Sequence, residues 1–567
     1  MDNIKNMRKL EQATSFNRAD FIKLGLAILF VLAAAAVALY SASAFGGGDS
    51  RMSGLSVLIV ATMVGGYMAM NIGANDVANN VGPAVGSKAL TMGGAILIAA
   101  VCEASGAIIA GGDVVDTIRS GIIDSSYEVL QDKTTFINLM LSALISSAVW
   151  LHLATVLGAP VSTTHSVVGG ILGAGIMAGG FGIVQWTKMI EIVGSWIISP
   201  LLGGLIAASF LFVVKRTITY KEDQLKAAQT VVPILLFLMT FAFCMYMIDK
   251  GFKDIFSLPM PVSLGISIVI GLIVYFVCRP LIIAASAKLE NNKESVGKFF
   301  TIPLIFAAAL LSFAHGTNDV ANAIGPLAAI NDLVVHGDDF AQAASVPLWI
   351  MIVGGFGISL GLALYGPKLI RTVGSEITEL DQIRAFCVAM SAAVTVLVAS
   401  ALGLPISSTH VAVGAVFGVG FLREGIKRHY FQIEQTIIEA HKESGEDTTA
   451  INQFLETFRK APMAKKQLLL KAIKQRREAE EALAAAGVAI DSEGKMKMVE
   501  KKAPAADDAL PFLSKKEQKK LKQAYKEELV KRSAFNKIIA TWIITVPVAA
   551  VLSGTIFLVI SWFGISY

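Results

Sequence analysis

One unusual pattern occurs twice in this chain. Residues 73–83 read GANDVANNVGP and residues 316–326 read GTNDVANAIGP, offset by 243 residues. Residues 160–165 read PVSTTH and residues 405–410 read PISSTH, offset by 245 residues. Two landmarks in one order at nearly one spacing require an internal duplication of a large unit. Both set polar residues and helix breakers in strongly apolar surroundings. Such segments are tolerated at the centre of a membrane protein where they line a protein-enclosed site.

Apolar residues make up 54% of the chain and charged residues 16%, against about a quarter charged in soluble domains. Apolar runs of about 20 residues, long enough to span a hydrocarbon core, recur over 21–45, 54–74, 89–111, 134–157, 160–182, 187–215, 229–249, 260–286, 300–325, 345–366, 382–403, 405–422 and 538–563. This pattern predicts an all-α polytopic membrane protein. The run Phe21–Phe45 exceeds the apolar core of a cleaved signal and reads as an extra N-terminal span. The segments 160–182 and 405–422 are open to two readings, a full crossing or a dip and return. The four cysteines fall within apolar spans and read as small buried hydrophobes.

Charge asymmetry orients the spans. Lys5, Arg8, Lys9 and Arg18 put the N-terminus in the cytoplasm. With every span crossing, the basic loops around Lys215–Lys226 and Arg279–Lys298 fall inside. Asp113, Asp116, Asp124, Asp132, Asp332, Asp338 and Asp339 fall outside. The first repeat then enters the membrane from outside and the second from inside, which predicts two inverted-topology repeats with broken helices. WIISP at 196–200 resembles WIITVP at 542–547. Their wider offset locates a charged insertion in the second repeat, expected to be helical and cytoplasmic. The expected division is 1–53, cytoplasmic N-terminus and extra span; 54–215, first repeat; 216–299, connecting spans; 300–422, second repeat, first part; 423–535, insertion; 536–567, final helix of the second repeat.

The motifs carry the chemistry. Asp76 and Asn79, with Asp319 and Asn322 in the second copy, lie three residues apart near one helical face. Gly73 with Gly82–Pro83, and Gly316 with Gly325–Pro326, predict a helix break around them. An intramembrane carboxylate needs a partner, and neither motif contains Lys or Arg. The expected partner is a cation or a proton. Pro160 with Ser162, Thr163 and Thr164, and Pro405 with Ser407, Ser408 and Thr409, suit helix N-termini that bind an oxyanion through hydroxyls and free N–H groups. Glu103, mid-span in CEASGA, is a further candidate for cation coupling. His165, His410, Trp196 and Trp542 read as packing residues.

GANDVAN and GTNDVAN, each followed by P-[VI]-S-[TS]-T-H, resemble the duplicated signature of the inorganic phosphate transporter family. The resemblance covers about 54–422 and resumes at 538–563. It implies a secondary carrier that imports phosphate with Na⁺ or H⁺ by alternating access. By motif position, Asp76 and Asp319 are the cation-linked carboxylates, and metal ligands where the ion is Na⁺. Asn75, Asn79, Asn318 and Asn322 line the site, and Ser162, Thr163, Thr164, Ser407, Ser408 and Thr409 hold the anion. The chain departs from the family in its span 21–45 and in RAFCVAM (384–390), which lacks an acidic residue that some members carry there.

No enzyme and no cofactor beyond the co-transported cation is expected. The expected partners are phosphate, the cation and the lipid bilayer, with no nucleic acid; a homodimer and a bacterial inner membrane are further expectations. Sulfate or another tetrahedral oxyanion is the alternative cargo. An intramembrane protease using Asp76 and Asp319 as a dyad lacks a GxGD motif and leaves the Ser/Thr clusters without a role.

Overall fold

A computed structural model describes residues 18–44, 51–124, 126–156, 161–253, 258–336, 345–376, 380–444, 488–490, 496–498 and 532–563. The first half comprises α1 (Arg18–Ala44), α2 (Arg51–Gly86), α3 (Met92–Ala110), α4 (Gly112–Ser120), α5 (Glu128–Gln131), α6 (Lys133–Val156), α7 (Thr163–Gly179) and α8 (Trp186–Val214). Next come α9 (Gln224–Tyr246), α10 (Met260–Ser286), α11 (Lys293–Phe299), α12 (Thr301–His336), α13 (Leu348–Glu376), α14 (Gln382–Ala401), α15 (Ser408–Ser444) and α16 (Arg532–Trp562). Strands β1 (Val488–Ile490) and β2 (Met496–Met498) pair antiparallel within the insertion. The segments 465–487 and 514–532, expected to be helical, lie largely outside the described residues.

Among the described residues, 11 helices are long and apolar enough to cross a membrane. The segments 160–182 and 405–422 are not among them, whereas α6 and α14, which precede them, are. The two segments are the returning arms of hairpins. Gly170 of α7 packs against Ala143 and Ser146 of α6. The start of α7 reaches Asp319 and Asn322, halfway along α12. In the second hairpin, Ser391 of α14 bonds the carbonyl of Gly203, and Val411 of α15 packs on that same glycine of α8. Trp196 of the same helix bonds the carbonyl of Pro405 at the tip. Both arms therefore run along α8 from one tip.

The expected break around Asp76 and Asp319 is also absent. α2 and α12 run unbroken through both motifs, with Pro83 and Pro326 inside them. The glycines serve close packing instead. A Cβ on Gly73 would run into the carbonyl of Ile358, and one on Gly316 into that of Glu103. A discontinuity lies at the tip of the second hairpin, where Gly403 adopts a positive φ of 64°, costly for other residues.

The interhelical contacts repeat in exchanged form. Gly73 meets Ile358 and Gly316 meets Glu103; Gly361 meets Met70 and Gly106 meets Phe313. Gly54 of α2 lies by Val334 of α12, and Gly65 by Ala323 and Leu327, so these equivalent helices run antiparallel. Each half clasps the other's hairpin: α8 packs on α15 through Gly203 and Gly204, and α16 packs on α7 at Gly169 and Gly173. Small residues let such backbones approach closely in lipid, where apolar burial gives no drive for helix association.

Candidate functional site

The two hairpin tips meet between α2 and α12. Ser162 caps α7 by accepting from His165 N at 3.1 Å, and Ser407 caps α15 by accepting from His410 N at 3.3 Å. Thr164 Oγ1 donates to the carbonyl of Ile406 at 2.9 Å and joins the tips. His165 packs on Trp196 with centroids 4.0 Å apart, His410 on Trp542 at 3.6 Å, and the imidazoles meet edge to face at 4.5 Å. Two helix N-termini, each with first-turn N–H groups lacking intrahelical acceptors, therefore point their positive dipole ends at one interior point.

Asp76 and Asp319 lie at that point, both fully buried. Thr409 Oγ1 donates to Asp76 Oδ1 at 2.9 Å, and Ser408 Oγ to Asp319 Oδ2 at 2.7 Å. Thr163 Oγ1 approaches Asp319 Oδ2 at 3.5 Å from the other hairpin. Asn79 Nδ2 donates to Thr409 Oγ1 at 2.9 Å. Asn322 Nδ2 lies 3.2 and 3.1 Å from the hydroxyls of Thr163 and Thr164. Each carboxylate thus touches a hydroxyl from the hairpin of the second half, and Asp319 touches both hairpins.

His315 occupies the centre with no solvent exposure. Its Nε2 lies 2.9 Å from Asp319 Oδ2 and 3.7 Å from Asp76 Oδ2, and its Nδ1 lies 3.3 Å from Glu103 Oε2. These are ion-pair distances rather than aligned hydrogen bonds, since neither ring nitrogen meets hydrogen-bond geometry. Asn80 Nδ2 donates to Glu103 Oε1 at 2.7 Å. Ligand atoms of Asp76, His315 and Asp319 all lie within 4.8 Å of one another. Two ionised carboxylates at that separation repel by about 3.5 kcal/mol at an effective dielectric near 20.

Unpartnered acceptors in the interior point the same way. Asp76 Oδ2, Asp319 Oδ1, Glu103 Oε2 and the side-chain oxygens of Asn75, Asn80, Asn318 and Asn322 have no hydrogen-bond donor among the described residues. Buried carboxylate and amide oxygens without donors fit a hard cation.

Of the residues expected from the sequence, Asp76, Asp319, Glu103, Asn79, Asn322, Thr163, Thr164, Ser408 and Thr409 converge here. The remaining four serve the scaffold in this conformation. Ser162 and Ser407 are caps. Asn75 Nδ2 donates to Thr155 Oγ1 at 3.0 Å, and Asn318 Nδ2 to Ser400 Oγ at 3.0 Å and the Leu404 carbonyl at 3.1 Å, so both hold hairpin ends. Sequence reasoning missed His315 and Asn80. The signal was a mismatch between copies: FAHGTNDVANA in one, MNIGANDVANN in the other.

Next to the site, α4 contacts the second hairpin and α12. Thr117 Oγ1 donates to the carbonyl of Gly403 at the second tip, 2.7 Å away. Arg119 pairs with Asp116 at 3.0 Å and with Asp332 of α12 at 2.9 Å. Asp113 pairs with Lys250 at 3.0 Å and with Lys253. Burial alone raises the Asp113 carboxyl; the two ammonium groups outweigh it and hold the carboxyl below its usual range.

Buried carboxylates facing hydroxyl-tipped hairpins inside a polytopic helical bundle fit a membrane transport protein. The comparisons with known proteins agree. Residues 72–553 match the profile of the Phosphate transporter family, and the chain belongs to that family. It is 50% identical over 560 residues, covering 98% of each chain, to a Helicobacter pylori protein named "Putative phosphate permease". A similarly named protein of Pyrococcus horikoshii is 42% identical over 379 residues, 65% of this chain and 89% of that one. The solved structure of a sodium-dependent phosphate transporter is similar with a TM-score of 0.66 and 30% identity, covering 89% of this chain and 99% of that one.

Proposed function

We propose that this phosphate transporter family member imports inorganic phosphate by cation symport, with Na⁺ as the coupling ion, through alternating access. The observation that carries the reading is the meeting of two acidic helices and two helix N-termini at one buried point. The N-termini, with Ser408, Thr409, Thr163 and Thr164, offer donors to a tetrahedral oxyanion. Asp76, Asp319 and the unpartnered asparagine oxygens offer acceptors to the cation. The hydroxyls that bond Asp76 and Asp319 are the same groups proposed to hold phosphate. Cation binding at the carboxylates then releases those donors to the anion, which makes the two bindings mutually supportive. Na⁺ is favoured by the oxygen donors and by the name of the similar solved transporter. A cation entering down 100 mV supplies about 2.3 kcal/mol per charge.

The antiparallel course of α2 and α12 supports inverted repeats, and repeats of opposite orientation in the membrane supply two related conformations. With the N-terminus inside, two re-entrant hairpins still leave Lys215 and Lys293 inside and Asp113 and Asp332 outside, in keeping with the distribution of basic residues. In this reading α4 is the outer closure, and 54–215 and 300–422 with 536–567 are the two moving units.

Labelled phosphate uptake into proteoliposomes under separate Na⁺ and proton gradients, with excess sulfate as competitor, tests the proposal. Na⁺-driven uptake insensitive to sulfate is expected. Uptake driven by the proton gradient alone would replace the ion, and sulfate uptake in place of phosphate would overturn the cargo.

A further inference from the structure

The ends of α2 and α12 match in sequence position and are covered differently. Gly325–Asp332 of the second half is buried throughout. In the matching stretch of the first half, Gly82–Ala89, only Gly82 and Ala84 are buried, and Gly86 and Lys88 are exposed. The cover on α12 is α4. A Cβ on Gly325 would run into the side chain of Ile118, whereas one on Gly82 would meet no atom of the described residues within 4 Å. Arg119 fastens α4 to α12 through Asp332 at 2.9 Å, with the two side chains 12% and 4% exposed.

A segment able to cover α2 is present in the second half. A Cβ on Gly111 would press on Val320, and one on Gly366 on Val77, so these two glycines occupy equivalent places. From there GGDVVDTIRS (111–120) aligns without a gap with GPKLIRTVGS (366–375). Thr117 corresponds to Thr372, Ile118 to Val373 and Ser120 to Ser375. The two backbones part at this point. α3 stops at Ala110 and the chain restarts at Gly112 as α4, against α12. α13 instead continues through Gly366 and Pro367 to Glu376. A proline inside a helix removes a backbone hydrogen bond and weakens the helix where it stands. A hinge is therefore built in where the first copy is already broken.

We infer that residues 367–376 are a second closure: when α4 leaves α12, they fold at Gly366–Pro367 onto the end of α2 and bring Val373 over Gly82. The inference rests on the alternating-access reading, in which inverted repeats exchange conformations, and names the segments that exchange. The two closures differ in what fastens them. Arg119 and Asp332 correspond to Gly374 and Ala89, which cannot form an ion pair. The closure by α4 is thereby favoured at rest.

The test uses the full-length protein in proteoliposomes and a reducible bifunctional thiol reagent, with the protein carrying only its four native cysteines as control. Arg119→Cys/Asp332→Cys replaces the contact of α4 with α12, and Ala89→Cys/Gly374→Cys marks the matching places. Linking the first pair should block uptake of labelled phosphate, and reduction should restore it. The second pair should link slowly in the otherwise wild-type protein. It should link about tenfold faster or more once Arg119→Gln releases α4, and block uptake when linked. Uptake that continues with the first pair linked would overturn alternating access, and the inference with it. A block by the first pair, with a second pair that never links even with Arg119→Gln, would overturn the closure at 367–376 and leave alternating access standing. The linking itself needs no phosphate, so a different cargo leaves that readout intact. If the paired variants do not fold, native Lys88 carries the comparison. Arg119→Gln should slow its modification by an amine reagent in detergent several-fold, and unchanged modification would overturn the closure equally.

Discussion

The two halves share a backbone design and differ in chemistry. Gly73 presses on Ile358 as Gly316 presses on Glu103. Around Gly316 stand Glu103, His315 and, on α2, Asn80, linked at 2.7 and 3.3 Å. The equivalent places around Gly73 hold Ile358, Ile72 and Ala323. Duplication preserved what packing requires, the glycines, both aspartates and the capped hairpins. It did not preserve the second charge cluster. A buried ionic group is costly unless paired, so the Glu103–His315 pair appears where each supplies the other's partner. The isoleucines opposite need none. The site is therefore symmetric in its helices and one-sided in its charge.

The largest expected effect tests what is shared. Asp76→Asn and Asp319→Asn should each lower phosphate uptake by about a hundredfold or more, the loss of roughly 3 kcal/mol from a buried charged contact. Expression should persist. Normal uptake by either variant in proteoliposomes would remove that aspartate from the mechanism.

Next, Gly73→Ala and Gly316→Ala should be equally damaging to stability, by about 3 kcal/mol or more, because each Cβ meets a backbone carbonyl that is not free to shift. Thermal unfolding in detergent checks this. A large gap between the two would show that the packing is less symmetric than the contacts indicate.

The one-sided cluster predicts an unequal pair. His315→Leu and Glu103→Gln should lower uptake about tenfold to a hundredfold, each leaving a buried charged group without its partner. Ile72→Leu and Ile358→Leu, at the equivalent places, should stay within about twofold, since volume-conserving apolar exchanges cost little. Equal losses on both sides would sink the reading of a one-sided site.

Smaller still is the difference between the tryptophans. Trp196 Nε1 donates to the Pro405 carbonyl at 3.0 Å, whereas Trp542 Nε1 has no acceptor among the described residues. Trp196→Phe should cost about 1 kcal/mol of stability beyond its packing loss; Trp542→Phe should cost less.

The smallest effect is a pH dependence at the base of the second hairpin. Burial raises the Asp381 carboxyl, but Arg384 and Lys293 outweigh it and hold it well below the usual range. A depressed carboxylate contributes stability that is fully present above its unfolded value, about 3.9, and lost as pH falls through the folded value. Asp381→Asn should therefore lower the melting temperature at pH 7 and progressively less toward pH 3. Asp113 of α4, held low by Lys250 and Lys253, should behave in the same direction.

The sequence by itself determined the helical membrane class, the duplication and most of the polar residues that meet. A carboxylate or a run of hydroxyls inside a 20-residue apolar segment has few roles other than an enclosed site, and its repetition 243 residues later makes accident untenable. Glu103 was legible for the same reason. His315 was legible only as a mismatch between copies, because nothing local shows that its ring reaches carboxylates on three helices. The role of the motif glycines was likewise undecided, because helix breaking and close backbone approach use the same residue. Those choices depend on which helices face one another across hundreds of residues of chain. Only tertiary packing settled them, placing Ile358 against Gly73, Glu103 against Gly316 and both hairpin tips against the aspartates.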